Sequence, residues 1–251
     1  VSPHSTVPPL PVPSVPVARP DGVSQSDDVP VVDVQPVLVA STRNSYTVSN
    51  TLTATKTDTS IQETPASIQV ISAQVMEDQK TPRLKDALEN VSGVRPNQSI
   101  GSGNRFIIRG FPDLGKTYRN GLLATSPSGF PFEMDTANID SIEVLKGPAS
   151  ILYGRIEPGG MVNVNTKRPL DTPHGALEQQ FGSYNFYRTT ADATGPLTKD
   201  DTLLYRVNVS YENSGSVRRF MKEDNLFIAP VLKWNVSPRT QITAEFEYLH
   251  F

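Results

Sequence analysis

The chain has 251 residues, a formal net charge of -3, 37% hydrophobic residues and no cysteine. That balance argues against a nucleic-acid-binding surface, and the missing cysteine excludes disulfides, cysteine zinc sites and thiol catalysis together. No run of about 18 apolar residues exists, so a membrane-spanning helix is excluded, and the only spanning structure left open is a closed β-barrel.

The chain opens at Val1 without Met and without a signal peptide, which points to a processed or cut start. Residues 1–30 are dominated by Pro, Val and Ser, as in Val7, Pro8, Pro9, Leu10, Pro11, Val12 and Pro13. Such a run favours extended polyproline II and reads as a stiff spacer, or else as a ligand for a groove that binds Pro-rich peptides. Next comes a β-prone stretch, Val31 to Val34 and then Pro36, Val37, Leu38, Val39 and Ala40, with Pro on both sides. It is either a short edge strand or a segment that adds to a partner's sheet.

From Ile61 the pattern becomes that of a small mixed sheet with short helices. Residues 67–72 alternate as a strand. A helix follows, with Thr81 as its cap, Pro82 in its first position, Leu84, Leu88 and Val91 on one face, and Gly93 at its end. Residues 106–110, 142–145 and 161–164 read as further strands. Asn120-Gly121 predicts a tight hairpin between Tyr118-Arg119 and Leu122-Leu123. Gly147-Pro148 predicts a sharp turn, and Gly159-Gly160 a backbone with positive φ.

After Arg168-Pro169 the period changes to two. Leu203, Tyr205, Val207, Val209 and Tyr211 make one apolar row, and Leu226, Ile228, Leu232 and Trp234 another. The opposite face carries Arg206, Glu212, Lys233, Glu245 and Glu247. About five strands are expected, near 175–182, 186–195, 202–213, 225–236 and 240–251, each about as long as a tilted bilayer-spanning strand. Short and long connections alternate as they do in outer-membrane barrels. A soluble sandwich would also alternate, but five strands with an open edge make an improbable finished fold, so a truncated barrel is expected.

Several ordered motifs resemble one family. Ile107-Ile108-Arg109-Gly110-Phe111, Tyr118-Arg119-Asn120-Gly121, the run from Ile142 through Gly147-Pro148 to Gly154, and Pro158-Gly159-Gly160-Met161-Val162-Asn163 resemble the plug of TonB-dependent siderophore receptors, with hydroxamate receptors of the ferrichrome type as the nearest likeness. Thr55 to Thr59 and Thr64 to Ile68 resemble the start of that plug. The resemblance covers residues 53–251. It implies an α+β plug domain followed by the first strands of an antiparallel transmembrane β-barrel: a Pro-rich periplasmic tail at 1–52, the plug at 53–169, and about five strands of a roughly 22-stranded barrel at 170–251.

The resemblance also implies a function. A ferric siderophore would bind the outer face of the plug, and the TonB protein of the inner-membrane energy complex would pull a short box in the tail. Pro36, Val37, Leu38, Val39 and Ala40 stand where that box belongs, with residues 31–34 as the second choice. Arg105, Lys116, Tyr118, Phe130 and Phe132 offer donors and aromatic faces for a bulky chelate, although the two phenylalanines equally suit a core. Arg109 and Lys146 are charges on apolar strands. They either reach out to water or, as the resemblance implies, lock the plug to carboxylates of the barrel wall. Lys146 stands where the family often has Arg, which puts a bidentate pair in doubt.

An enzyme is not expected. Gly101-Ser102-Gly103 lacks the strand-to-helix context of a nucleotide loop, His4, His174 and His250 are scattered, and no Ser-His-Asp arrangement is apparent. No cofactor is expected beyond the ferric siderophore carried as ligand, and the expected surroundings are outer-membrane lipid with the tail in the periplasm. The competing readings are a TonB-dependent receptor for another cargo, such as cobalamin or an oligosaccharide, and a non-transporting β-rich surface protein.

Overall fold

The computed structural model describes residues 46–97, 105–113, 117–124, 134–216 and 222–250. The expected box at 36–40 and the candidate chelate contacts Lys116, Phe130 and Phe132 lie outside the described residues. In chain order, β1 (Asn50–Thr51) and β2 (Thr59–Ser60) pair with each other, and β3 (Ser67–Ser72) leads into α1 (Ala73–Gln79) and α2 (Leu84–Ala87). Three short strands follow, β4 (Val94–Pro96), β5 (Phe106–Ile108) and β6 (Phe111–Pro112), which form a sheet of their own. Then come β7 (Thr117–Arg119), β8 (Leu122–Leu123), β9 (Ile139–Lys146), α3 (Ser150–Tyr153) and β10 (Gly160–Thr166). The central sheet runs β3-β9-β10-β7-β8, antiparallel except for β10 beside β7.

Strand alternation sorts β9 and β10 onto two faces. Ile142, Val144, Val162 and Val164 join Leu84, Leu88, Val91, Phe106 and Ile108 in the main core. On the other face, Leu145 and Met161 pack with Tyr118 and Ala149 in a second core, and Glu143 pairs with Asn163 across the strands. Leu84, Leu88 and Val91 share their buried face as expected, but Thr81 is not the cap. Its hydroxyl donates to Met76 O at the end of α1, and the start of α2 is tied instead by Leu84 N donating to Met134 O at 3.2 Å. The predicted hairpin is present, with φ of 48° at Asn120 and 79° at Gly121. At Gly159-Gly160 only Gly160 has positive φ, at 135°. Gly159 is required for space, because a Cβ there would stand 2.2 Å from Ile108 O.

The second sheet is antiparallel and six-stranded: β11 (His174–Gly182), β12 (Phe186–Pro196), β13 (Leu203–Gly215), β14 (Lys222–Ser237), β15 (Thr240–Glu245) and β16 (Tyr248–His250). The strand expected over 240–251 is divided, and both pieces pair with β14. The break falls opposite Pro230, which has no N–H to give to a ladder, and only Phe246 N bridges it, donating to Pro230 O at 3.1 Å. In β13 the even residues from Leu204 to Ser214 are buried and the odd ones are not. The exposed row therefore runs through Tyr211, Leu232, Trp234, Ile242 and Tyr248, as the alternation predicts.

Candidate functional site

The buried face of β12 and β13 meets the plug mainly through polar and charged side chains. Asp135 opens a 3-10 turn, Thr136–Asn138, and its Oδ1 accepts from Ala137 N at 2.8 Å. The guanidinium of Arg188, on β12, forks onto Asp135 at 2.9 and 2.6 Å and also donates to Glu212 Oε2 at 3.0 Å. Ser210 Oγ donates to Asp135 Oδ2 at 2.7 Å. From the plug side Arg83 Nη2 donates to Glu212 Oε1 at 2.9 Å and also bonds Glu223. Arg188, Asp135 and Glu212 are buried, so each charge depends on the others for compensation. A bidentate fork of this kind needs arginine geometry, which lysine cannot reproduce.

Two further contacts flank this centre. Arg206 and Lys167 both hold Asp192, at 2.6 and 3.3 Å, and Arg206 Nη1 donates to Arg168 O at 2.9 Å. At the hairpin Arg119 pairs with Glu247, while Arg168 meets Glu245 at 2.6 Å and Asn120 Nδ2 donates to the same carboxylate at 3.0 Å. Burial lowers the pKa of Arg119, and the nearby Glu245 charge partly offsets this. An exposed pair, Lys80 with Glu178 at 2.6 Å, completes the set. Arg206, Glu212, Glu245 and Glu247 are lumen-facing charges anticipated from alternation. Arg83, Asp135, Arg188 and Asp192 were not singled out, although Arg188 and Asp192 occupy the same inward register.

The remaining candidates fall elsewhere. Tyr118 departs from its expected place on a chelate-binding surface: it is 4% exposed, its OH donates to Tyr153 O at 3.1 Å, and its ring meets Tyr153 edge-on at 5.1 Å. A phenol with an apolar body and a satisfied hydroxyl belongs to the core, and burial raises its pKa. Arg105 is half-buried at the edge of β5, where its carbonyl accepts from Asn97 N at 2.7 Å. Lys146 Nζ donates to Gln69 Oε1 at 3.0 Å and Ser92 Oγ at 3.1 Å, both within the plug. Burial lowers its pKa, and the Arg109 charge lowers it further. Among the described residues neither Arg109 nor Lys146 pairs with a strand carboxylate. No group of three His, Asp or Glu side chains among the described residues is placed to hold a metal ion.

No helix among the described residues is long and apolar enough to cross a membrane. Residues 60–161 match the family described as the TonB-dependent Receptor Plug Domain. This stretch of the chain is a TonB-dependent receptor plug domain. The chain is 37% identical over 202 residues to the metal-pseudopaline receptor CntO of Pseudomonas aeruginosa, a match covering 80% of this chain and 28% of that one. To the ferrioxamine B receptor of Salmonella typhimurium it is 33% identical over 204 residues, covering 78% and 29%. The structure of the pyoverdine outer membrane receptor FpvA from Pseudomonas aeruginosa, bound to pyoverdine, superposes with a TM-score of 0.77 at 27% identity, over 83% of this chain and 31% of that one. The chain therefore spans under a third of the length of these relatives. Ahead of the matched residues, Thr51 is 2% exposed and its hydroxyl bonds Glu143 on β9.

Proposed function

We propose that the protein imports a ferric siderophore across the outer membrane with energy delivered by TonB. The observation that carries this reading is a plug domain ion-paired to the polar face of antiparallel strands whose other face is apolar. That arrangement suits a plugged barrel in lipid, with a charged contact that water can re-enter when the plug shifts. The relatives named for metal-pseudopaline, ferrioxamine B and pyoverdine support a metal chelate as cargo in preference to cobalamin or an oligosaccharide. We assign the chelate surface to the loops carrying Arg105, Lys116, Phe130 and Phe132, and the TonB box to residues 36–40. Arg109 and Lys146 are two neighbouring cations, and we assign them a carboxylate on a barrel strand outside this chain as their lock.

Uptake of a radiolabelled ferric siderophore by cells that depend on the full-length receptor tests the proposal. Insertion of Pro at Leu38 removes the backbone donors that strand addition needs. Uptake should be abolished while binding of the chelate to whole cells persists. Uptake that survives both this insertion and one at Val32 defeats the coupling reading.

A further inference from the structure

Glu143 is a buried carboxylate for which the ion-pair contacts above have no use. It is 4% exposed on β9, and among the described residues no Lys or Arg pairs with it. Its acceptors are filled by hydrogen-bond donors instead. Asn165 Nδ2 donates to Oε1 at 2.8 Å, while Thr51 Oγ1 and Thr53 N both donate to Oε2, the latter at 3.1 Å. Two of these three donors come from the segment that joins the tail to the plug. A buried charge without a counter-ion is tolerated only while its hydrogen bonds are kept.

The same segment is held at every polar atom of Thr53. Asn163 Nδ2 donates to Thr53 Oγ1 at 2.8 Å, and Tyr153 OH donates to Thr53 O at 2.7 Å. Lys56 caps the contact, with Nζ 3.7 Å from the centroid of the Tyr153 ring and donating to Gly121 O at 3.2 Å. Thr51 ends β1 and Thr53 stands in the turn that follows; they are 2% and 1% exposed, while Leu52 between them is 52% exposed. β1 pairs only with β2, so no strand ladder ties this segment to the central sheet, and its bonds to Glu143, Asn163 and Tyr153 each use a side chain of β9, β10 or α3. A cleft of about 550 Å³ lined by Asn50, Asp140 and Asn165 adjoins the carboxylate, and through it water can solvate Glu143 once the threonines leave. The fastening is therefore one that can open and reclose without disturbing the sheet.

We propose that Glu143, with Asn163 and Tyr153, is a positioning residue that clasps the chain at Thr51 and Thr53, and that a pull on the tail must undo this clasp before the sheet is loaded. Thr51 follows Ala40 by eleven positions and is the first buried residue among those described, so force applied at residues 36–40 reaches the clasp before the central sheet. The purpose of the clasp rests on the TonB-coupling reading; its existence does not.

The test is nitroxide mobility in the full-length receptor, with the label on Leu52→Cys beside the clasp and, separately, on Glu89→Cys as a control on the plug. Glu143→Ala should free the Leu52 label and leave the Glu89 label unchanged, with Glu143→Gln intermediate. Thr51→Val with Thr53→Val, which leaves β9 intact, should do the same. Loss of a hydrogen bond to a charged acceptor should raise the ratio of undocked to docked segment about tenfold or more. If the Leu52 label stays immobile in both variants, or if both labels loosen together in both, there is no local clasp and the proposal falls. Absent siderophore uptake by the unmodified receptor would defeat the transport reading and leave the label result standing.

Discussion

The plug sheet and the strand sheet bury their side chains by different means. On the plug sheet Ile142, Val144, Val162 and Val164 close against Leu84, Leu88 and Phe106 in an apolar core. On the facing strands Arg188, Asn208, Ser210 and Glu212 are as deeply buried, yet they are polar or charged, and only Leu204, Phe227, Ala229 and Val231 interrupt the pattern with apolar surface. An apolar core separates only by unfolding, since its burial is the driving force for folding. A contact between ion pairs can be rehydrated, because water replaces each partner. The plug thus has an apolar core of its own, while the strand face turned to it is mostly polar.

The sharpest way to break this comparison is to separate the halves. Residues 46–169 expressed alone should be soluble and monodisperse without detergent, because the two core clusters lie within them. Residues 1–251 should aggregate or require detergent, since the outer face exposes Leu177 and Phe181 at 78% and 76%, and Trp234 and Ile242 farther along the same sheet. Gel filtration of both decides it; a soluble, monodisperse 1–251 would mean that the strands close without lipid.

A smaller effect is expected at the centre of the interface. Asp135→Asn removes the charge that Arg188 grips and leaves a buried guanidinium with Glu212 as its remaining anion. The cost should be about 3 kcal/mol, the lower end for breaking a buried pair. It should appear as a lower urea midpoint for release of the plug within the receptor, with the barrel's circular dichroism unchanged. An unchanged midpoint would place the holding energy elsewhere.

The smallest effect should come from Lys80→Ala, which breaks a pair whose side chains are 53% and 37% exposed. Solvent screens such a contact, so the same urea midpoint should move by about 0.5 kcal/mol or less. A shift as large as that of Asp135→Asn would erase the distinction between the buried and exposed ends of the interface.

Local chemistry and periodicity are legible in the sequence by itself. A period of two in residues 203–212 and 226–236 determined which side chains face outward, because successive residues of a strand alternate sides whatever lies beside them. Asn120-Gly121 determined its hairpin, because its backbone angles are set by those two residues. The helix α1 and the short α3 were not anticipated, since Ala73–Gln79 carries no side-chain cap and Ser150–Tyr153 is a single turn. Tertiary structure alone decided which charges meet. Arg188 and Asp135 stand 53 residues apart, and Thr51 and Glu143 stand 92 apart. It likewise turned Tyr118 from a surface candidate into core, through a carbonyl 35 positions away. The reason is common to all three: a local pattern fixes the side of a strand on which a residue stands, while its partner depends on how distant strands are brought into register.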